Sequence, residues 1–408
     1  MAKFLEGIRV VELGTHVAVP KAARLMSEWG ADVVKIEPPK GEAYREIIPA
    51  LWQLPCAEDN NPIYENENSS KQSLCLDLKN PEAREVMYKL LEKADIFITN
   101  TRPKALEKLG VDYETMKEKF PRLIYAHFSG FGDKGPDSDR PGFDVTAFWA
   151  RSGVLNEWSL AESTPSKPTP GFGDGTVASM LLAGILAALY NREKTGRGER
   201  ISTSLLGTAL WYNSTGVVQG QPQYNKTFPQ PRIPCSPFNP LFKTKDGDWL
   251  LLSVPNYAEK GAGLLRLLGM EQYIEDPRFQ SSASAREGAH EVIPLLDAAF
   301  ASMDTATLLK GLIALDVNHS KLANPAEICQ DEQAWANGFL YEHTMDSGDK
   351  VVLPRPPVRF DSMADEPGRR APYLGEHSKS IMAQLGYSPS EIEHKLTAGG
   401  VVQNTKEQ

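Results

Sequence analysis

With 408 residues, 41% of them hydrophobic and 24% charged, the chain has the make-up of a soluble globular protein and is too long for one simple core, so two domains are expected. A net charge of −9 disfavours nucleic acid as a partner, yet leaves room for a small anion at a local basic cluster, because charges beyond a Debye length of ~8 Å are largely screened. Cys56, Cys75, Cys235 and Cys329 are scattered without CxxC spacing and the seven histidines show no HExxH pattern, which argues against a metal site or a disulfide framework and fits a reducing cytoplasm.

The N-terminus, MAKFLEGIRVVELG, runs directly into a strand pattern without a signal peptide, and no membrane partner is expected. Residues 8–13, 32–37, 73–78, 95–99 and 122–128 read as strands. Residues 20–29, 81–93 and 113–119 read as helices, the second with Asn80 as N-cap and Pro81 in the first helical position. Strand and helix alternate, so the first half is expected to be a doubly wound, Rossmann-like α/β unit with a mainly parallel sheet. Ligands of such sheets bind beyond the carboxyl ends of the strands.

The turn after the first strand, GTHVAVP, has one glycine and so lacks the dinucleotide fingerprint, which argues against NAD or FAD. The strand ends carry basic residues instead. Lys35, Lys40 and Arg45 follow or end strand two, Lys71 precedes strand three, and Asn100, Thr101 and Arg102 end strand four, before a helix opened by Pro103 that carries Lys104 and Lys108. Basic groups beside helix N-termini favour phosphate, and solvated surface charge is the alternative. Residues 129–144 (SGFGDKGPDSDRPGFD) form a loop long enough to be functional, ending in Asp144, either a site residue or a turn former and helix cap.

Residues 171–200 are organised around Asp174, set among Gly171, Gly173 and Gly175. The apolar run from 177 to 190 predicts a helix buried nearly all round, and at about fourteen residues too short to cross a bilayer. An acid at the entrance of such a helix suits covalent catalysis, and a strained glycine turn is the competing reading. Residues 216–240, rich in Pro, Gln and Asn, read as a linker. The expected organisation is a large domain from 1–215, a smaller α+β domain from 241–325 opened by a hairpin around Asp246-Gly247, and a C-terminal part, 326–408, returning to the large domain.

Several passages resemble the class III CoA transferases, the formyl-CoA and carnitine CoA transferase type. They are LEGIRVVELG, ADVVKIEPPKGE, NENSSKQSLCLDLK, TNTRPKALEKLGVDYETM, SGFGDKGP and, above all, GFGDGT followed by REKTGRGE. DEQAWANGFLY and Gly375-Glu376-His377 extend the likeness to the chain's end, and PGFDVTAFWARSGV is most similar to the branch acting on 2-hydroxy acids of amino-acid fermentation, such as phenyllactate and 2-hydroxyisocaproate.

The resemblance implies an interlocked homodimer, acyl-CoA and free carboxylic acid as substrates, and no permanently bound cofactor beyond the CoA thioester itself. It assigns Asp174 as nucleophile, with an ordinary pKa of ~3.9 that leaves it ionised at neutral pH. His16 and Val17 would line the CoA site, and Asn100 and Lys108 would contact the adenosine and phosphate. Backbone N–H groups of Gly173 and Gly175 are candidate oxyanion donors, with Asp144 and Phe143 as candidate substrate contacts, and Phe148, Trp149 and Phe238 suit a partly apolar acid. The chain departs from the branch at Gly175, where relatives often carry His, and from the formyl-CoA transferases at PCSPFNP, where those have a glycine flap. Two rivals remain at this level. One is a 2-methylacyl-CoA racemase using His127 or His16 with Asp174, and the other is a non-catalytic CoA-binding protein.

Overall fold

The computed structural model describes residues 3–46, 55–56, 60–233, 236–238, 240–363 and 368–404. It divides into one unit of Met1–Val154, Lys167–Val218 and Glu332–Gln408 and another of Leu155–Ser166 and Gln219–Asp331.

The first unit is built on six parallel strands, β1 (Arg9–Leu13), β2 (Asp32–Glu37), β3 (Gln72–Leu76), β4 (Ile96–Thr99), β5 (Ile124–Ser129) and β6 (Arg200–Ser204), in the spatial order β3-β2-β1-β4-β5-β6. A two-residue strand, Val401–Val402, closes the outer edge antiparallel to β3. The short apolar runs are those of strands covered on both faces, and Val10, Val11, Val33, Leu74, Phe97 and Ile98 are buried. The mixed α/β fold with a parallel central sheet is thus the one expected. Strand order reverses between β1 and β4, which opens a crevice at their carboxyl ends.

Helices α1 (Ala18–Glu28), α2 (Pro62–Asn68), α3 (Pro81–Glu92), α4 (Pro103–Leu109) and α5 (Tyr113–Lys119) connect these strands. Their ends follow local chemistry. Asn80 Oδ1 accepts from Glu82 N at 2.9 Å ahead of Pro81, Asp112 Oδ1 accepts from Thr115 N at 3.0 Å, and α4 stops at Gly110, whose φ of 71° suits glycine.

The long helix α6 (Phe172–Thr195) departs from expectation in two ways. It has 24 residues, beginning before Asp174, so by length and composition it could cross a membrane. It is also buried on one face only, through Val177, Ala178, Leu181, Leu182, Ile185 and Ala188, where it packs on β5, β6 and α1; Ala183, Ala187 and Tyr190 are exposed. An apolar run shows that a surface will be covered, not by which neighbour. After β6, α7 (Leu205–Tyr212) and the helix Ser214–Gln219 leave Leu210, Trp211, Tyr212, Val217 and Val218 exposed as well.

Three of the basic residues around strands two and three, Lys35, Arg45 and Lys71, are not at the surface. Lys35 Nζ lies 2.8 Å from Glu12 Oε1 and 2.7 Å from Glu42 Oε1, and Lys71 Nζ lies 2.8 Å from Glu12 Oε2. Arg45 is held by Glu37 through two bonds of 2.8 Å and stacks over Tyr64. Burial works against every charge here. Glu12 and Glu42 outweigh it at Lys35, Arg45 brings Glu37 down to about 2, and burial prevails at Lys71, lowered to about 8. Lys35, Lys71 and Arg45 are therefore structural cations, a correction to their reading as phosphate ligands.

The rest of the chain fills out both units. The hairpin Leu340–Thr344 with Lys350–Pro354 and the helices Ser378–Gln384 and Pro389–Thr397 belong to the first. The second has its own core, with Phe242 stacked on Phe300 at 4.3 Å and Phe238 on Tyr257 at 3.8 Å. Phe238 is thus a core residue rather than a pocket one. The expected hairpin pairs Leu241–Lys243 with Trp249–Ser253, and Asn318–Lys321 adds a third antiparallel strand. Of the PCSPFNP passage, residues 234, 235 and 239 lie outside the described residues, Cys235 among them.

Removing the shared cation by Lys35→Met would leave Glu12 and Glu42 buried without it, and is expected to destabilise the protein by about 3–5 kcal/mol, read as a lower denaturant midpoint. A second contrast concerns the start of α6. A Cβ at Gly173 would collide with Asp144 Oδ1 and the Phe148 ring, whereas one at Gly175 meets nothing nearer than Lys21 Cδ at 3.9 Å. Gly173→Ala should therefore cost about 1–3 kcal/mol through overpacking, while Gly175→Ala should gain up to about 1 kcal/mol of helix propensity. Thermal unfolding of the two variants should move in opposite directions.

Candidate functional site

Asp174 sits in the first turn of α6, behind Gly171, whose φ of 88° turns the chain into the helix. Of the three glycines around it, only Gly171 needs the left-handed region. Gly173 is required by the closeness of Asp144 and Phe148, and Gly175 is an ordinary helical residue with room for a Cβ beside the Lys21 stem.

The turn is held by Asp144, the first residue of a π-helical segment, Asp144–Ala150. Its Oδ2 accepts from Gly171 N at 2.7 Å, the first N–H of the turn. Asp144 thus caps α6, a role read from the sequence only for the segment that Asp144 itself opens. Of the two expected oxyanion donors, Gly175 N–H is committed to Gly171 O at 2.9 Å. Phe148 and Trp149 are buried behind this turn.

At the carboxyl ends of β1, β4 and β5 lies a cleft of about 230 Å³. His16, Val17, Asn100, Arg102, Phe143 and Asp174 line it together. His16 has a φ of 66° and donates its N–H to Glu42 Oε2 at 2.7 Å, so the buried ion pairs fix the loop after β1. Burial, then the charge of Lys35, lowers the His16 pKa, which keeps the ring neutral. Asn100 accepts from Thr15 N at 3.1 Å and donates to Thr15 O at 2.9 Å, tying the loops after β1 and β4 together. Phe143 is 58% exposed, with its ring edge-on to His16.

Lys40 and Lys108 are exposed and do not line the cleft, and Arg45 is consumed by Glu37. Arg140, from the long loop, and His127, at the end of β5, line it without having been singled out as CoA-binding positions. Arg140 was hidden among the glycines, prolines and acids of its loop. His127 is held between Asp133 Oδ1 at 3.3 Å and Thr101 O at 3.1 Å. Among the described residues no group of three or more His, Cys, Asp or Glu is arranged to hold a metal ion.

Asp174 is not an ordinary aspartate. Burial first, then the carboxylates of Asp144 and Glu67, push its pKa up to about 7, with Lys21 pulling the other way. Its surroundings make the ionised form costly and hence reactive, a combination typical of catalytic groups.

Comparison with known proteins places this geometry in context. A family model described as CoA-transferase family III matches residues 5–378. The chain is 36% identical to the (R)-2-hydroxy-4-methylpentanoate CoA-transferase of Clostridioides difficile, over 96% of this chain and 97% of that one. It is 33% identical to the cinnamoyl-CoA:phenyllactate CoA-transferase of Clostridium sporogenes, over 95% and 94%. A crystal structure of a CAIB/BAIF family protein from Brucella suis superposes with a TM-score of 0.81 at 26% identity, covering 94% of this chain and all of that one. Match of the family model over most of the chain, together with relatives above 30% identity along nearly its whole length, makes this protein a member of CoA-transferase family III.

Proposed function

We propose that the protein moves CoA from an acyl-CoA thioester to a free 2-hydroxy acid, with Asp174 as the covalent catalyst. The observation that carries this reading is a carboxylate with a raised pKa, facing a cleft at the switch point of a doubly wound sheet. The choice of a 2-hydroxy acid rests on the two relatives named above.

The reaction begins when an ionised Asp174 oxygen attacks the thioester carbonyl. The C–S bond breaks, CoA leaves as the thiolate, and an acyl-aspartyl anhydride remains. The thiolate attacks the aspartyl carbonyl, the donor acid departs as its carboxylate, and Asp174 carries CoA as a thioester. The acceptor carboxylate attacks that carbonyl and releases the thiolate again. Thiolate attack on the acceptor's carbonyl forms the new acyl-CoA and regenerates the Asp174 carboxylate. No external base is needed, because each nucleophile is already an anion.

The cleft side of Asp174 suits CoA. Arg102 and Arg140 supply cations beside the start of α4, while His16, Val17 and Asn100 shape the wall. Lys108 and Lys40 would meet the outer phosphate end of a long ligand. The exposed apolar side chains Tyr190, Leu210, Trp211, Tyr212, Val217 and Val218 suit the subunit contact of an interlocked homodimer.

Asp174→Asn is expected to abolish transfer and the CoA adduct seen by intact-protein mass spectrometry, while CoA binding by calorimetry persists; transfer at wild-type rate would sink the mechanism. With a pKa of about 7, wild-type kcat/KM should fall as pH drops through neutrality, since the protonated carboxyl cannot attack. The same shift destabilises the fold. The folded state binds the Asp174 proton more tightly than the unfolded chain, so stability from this group is lost as pH rises from its ordinary value through about 7. Above that pH, Asp174→Asn should melt higher than wild type, and the difference should fade in acid. Arg102→Ala should raise the KM for acyl-CoA roughly tenfold with little change in kcat, as expected for uniform binding of a phosphate; an equal loss in kcat would contradict that role.

A further inference from the structure

The acid substrate poses an electrostatic problem that the cleft does not solve. A carboxylate must approach Asp174, or the thioester formed on it, where the carboxylates of Asp144 and Glu67 already stand. Like charges in such surroundings repel strongly unless a cation intervenes. Lys35, Lys71 and Arg45 are spent on buried partners, and Arg102 and Arg140 line the cleft assigned to CoA.

Lys21 is left. It lies in the first turn of α1, which packs on α6. Its stem passes Gly175, the residue after the nucleophile, with Cδ 3.9 Å from where a Cβ at Gly175 would be. Its ammonium is 3.0 Å from Glu67 Oε1, and its side chain is 31% exposed, against 0% for Lys35 and Lys71. Neither Lys21 nor Glu67 lines the 230 Å³ cleft, so the pair attends Asp174 from outside it.

Glu67 is an unusual partner for a lysine that is merely solvated. Its side chain is 4% exposed, Oε1 takes both Lys21 and Asn66 Nδ2 at 2.9 Å, and Oε2 is buried with no hydrogen-bond partner among the described residues. A buried carboxylate oxygen without a partner is costly, so Glu67 depends on the Lys21 ammonium that its other oxygen holds.

We propose that Lys21 binds the carboxylate of the acid substrate, that Glu67 is the positioning residue holding its ammonium beside Asp174, and that Gly175 leaves the space the acid occupies. This rests on the transfer reaction proposed above. An ammonium has three donors, so Lys21 can keep Glu67 and still take an incoming carboxylate. A glycine at 175 keeps the side of the helix next to the nucleophile open, where any larger side chain would stand between Lys21 and the acid.

The test is initial-rate kinetics with cinnamoyl-CoA as donor and 2-hydroxy-4-methylpentanoate as acceptor, across the neutral pH range, for wild type, Lys21→Met, Lys21→Arg and Glu67→Gln. Lys21→Met should raise the KM for the acid roughly 10- to 100-fold and leave that for acyl-CoA nearly unchanged, and Lys21→Arg should restore most of the loss. The acidic limb of kcat/KM supplies a second readout. Asp174 is faced by Lys21, Glu67, Asp144 and Tyr44, with His16 and His127 on the cleft; Arg200 of β6 is committed to Asp133, and α7 carries no side chain ionised at neutral pH. Removing a cation and removing an anion act oppositely, so the limb should move to higher pH in Lys21→Met and to lower pH in Glu67→Gln.

Equal changes in both KM values, or limbs moving in the same direction, would overturn the proposal. If Lys21→Met does not fold, Lys21→Arg and Glu67→Gln carry the test alone: a downward limb in Glu67→Gln with near-normal kinetics in Lys21→Arg supports it, and an unmoved limb overturns it. A wild type that neither transfers CoA nor forms the Asp174 adduct defeats the transfer reading itself. A wild type that does both, with Lys21→Met indistinguishable from it, defeats only the role of Lys21.

Discussion

The site depends on a set of charges that never meets a ligand. Around β1, β2 and the start of β3, three acids, Glu12, Glu37 and Glu42, are matched by three bases, Lys35, Lys71 and Arg45, with no formal charge left over. Each is buried, and each is tolerable only because its partner is within hydrogen-bond reach. The set bears on the cleft through the loop after β1: Glu42 Oε2 accepts from His16 N–H, a residue with positive φ at the mouth of the cleft, and Lys35 donates to Gly14 O at 3.2 Å. Backbone strain of this kind persists where surroundings overdetermine it, and here the surroundings are the ion pairs.

A second acid, Asp144, does for α6 what Glu42 does for the loop after β1. By accepting from Gly171 N–H it fixes the direction of the chain just before Asp174, and by its charge it makes ionisation there more difficult. The same carboxylate therefore positions Asp174 and raises its pKa. Gly173 belongs to this arrangement because no side chain fits between Asp144, Phe148 and the helix. Stability is given up locally for a carboxylate that is reluctant to hold its charge.

Much of the fold was legible because its signals are local. β2 spans Asp32–Glu37 and α5 spans Tyr113–Lys119 as read from the sequence, and Asn80-Pro81 starts α3 as expected, since periodicity and capping act within a few residues. The placement of Asp174 at the entrance of a helix was legible too, from its glycine setting. What escaped was pairing at a distance. Lys35 is 23 positions from Glu12, and nothing in either neighbourhood says that they meet, so buried cations looked like phosphate ligands. The Asp144 cap spans 27 positions and was hidden for the same reason. The reach of α6 was underestimated because the apolar run marks only its middle, while the glycines before it and the polar turns after it are helical as well.

The outer edge of the main sheet carries a consequence for how the protein is made. β3 is completed by Val401–Val402 and by Ser378, whose hydroxyl accepts from Cys75 N at 3.2 Å. These partners leave the ribosome some three hundred residues after β3, once the intervening unit with its own core has been synthesised. That unit can fold as it emerges, whereas β3 must wait with an open edge until Val401–Val402 has emerged. A chain stalled or cut before that strand would expose a parallel sheet ready to pair with a neighbour, so yield in the cell should depend on how promptly Val401–Val402 arrives.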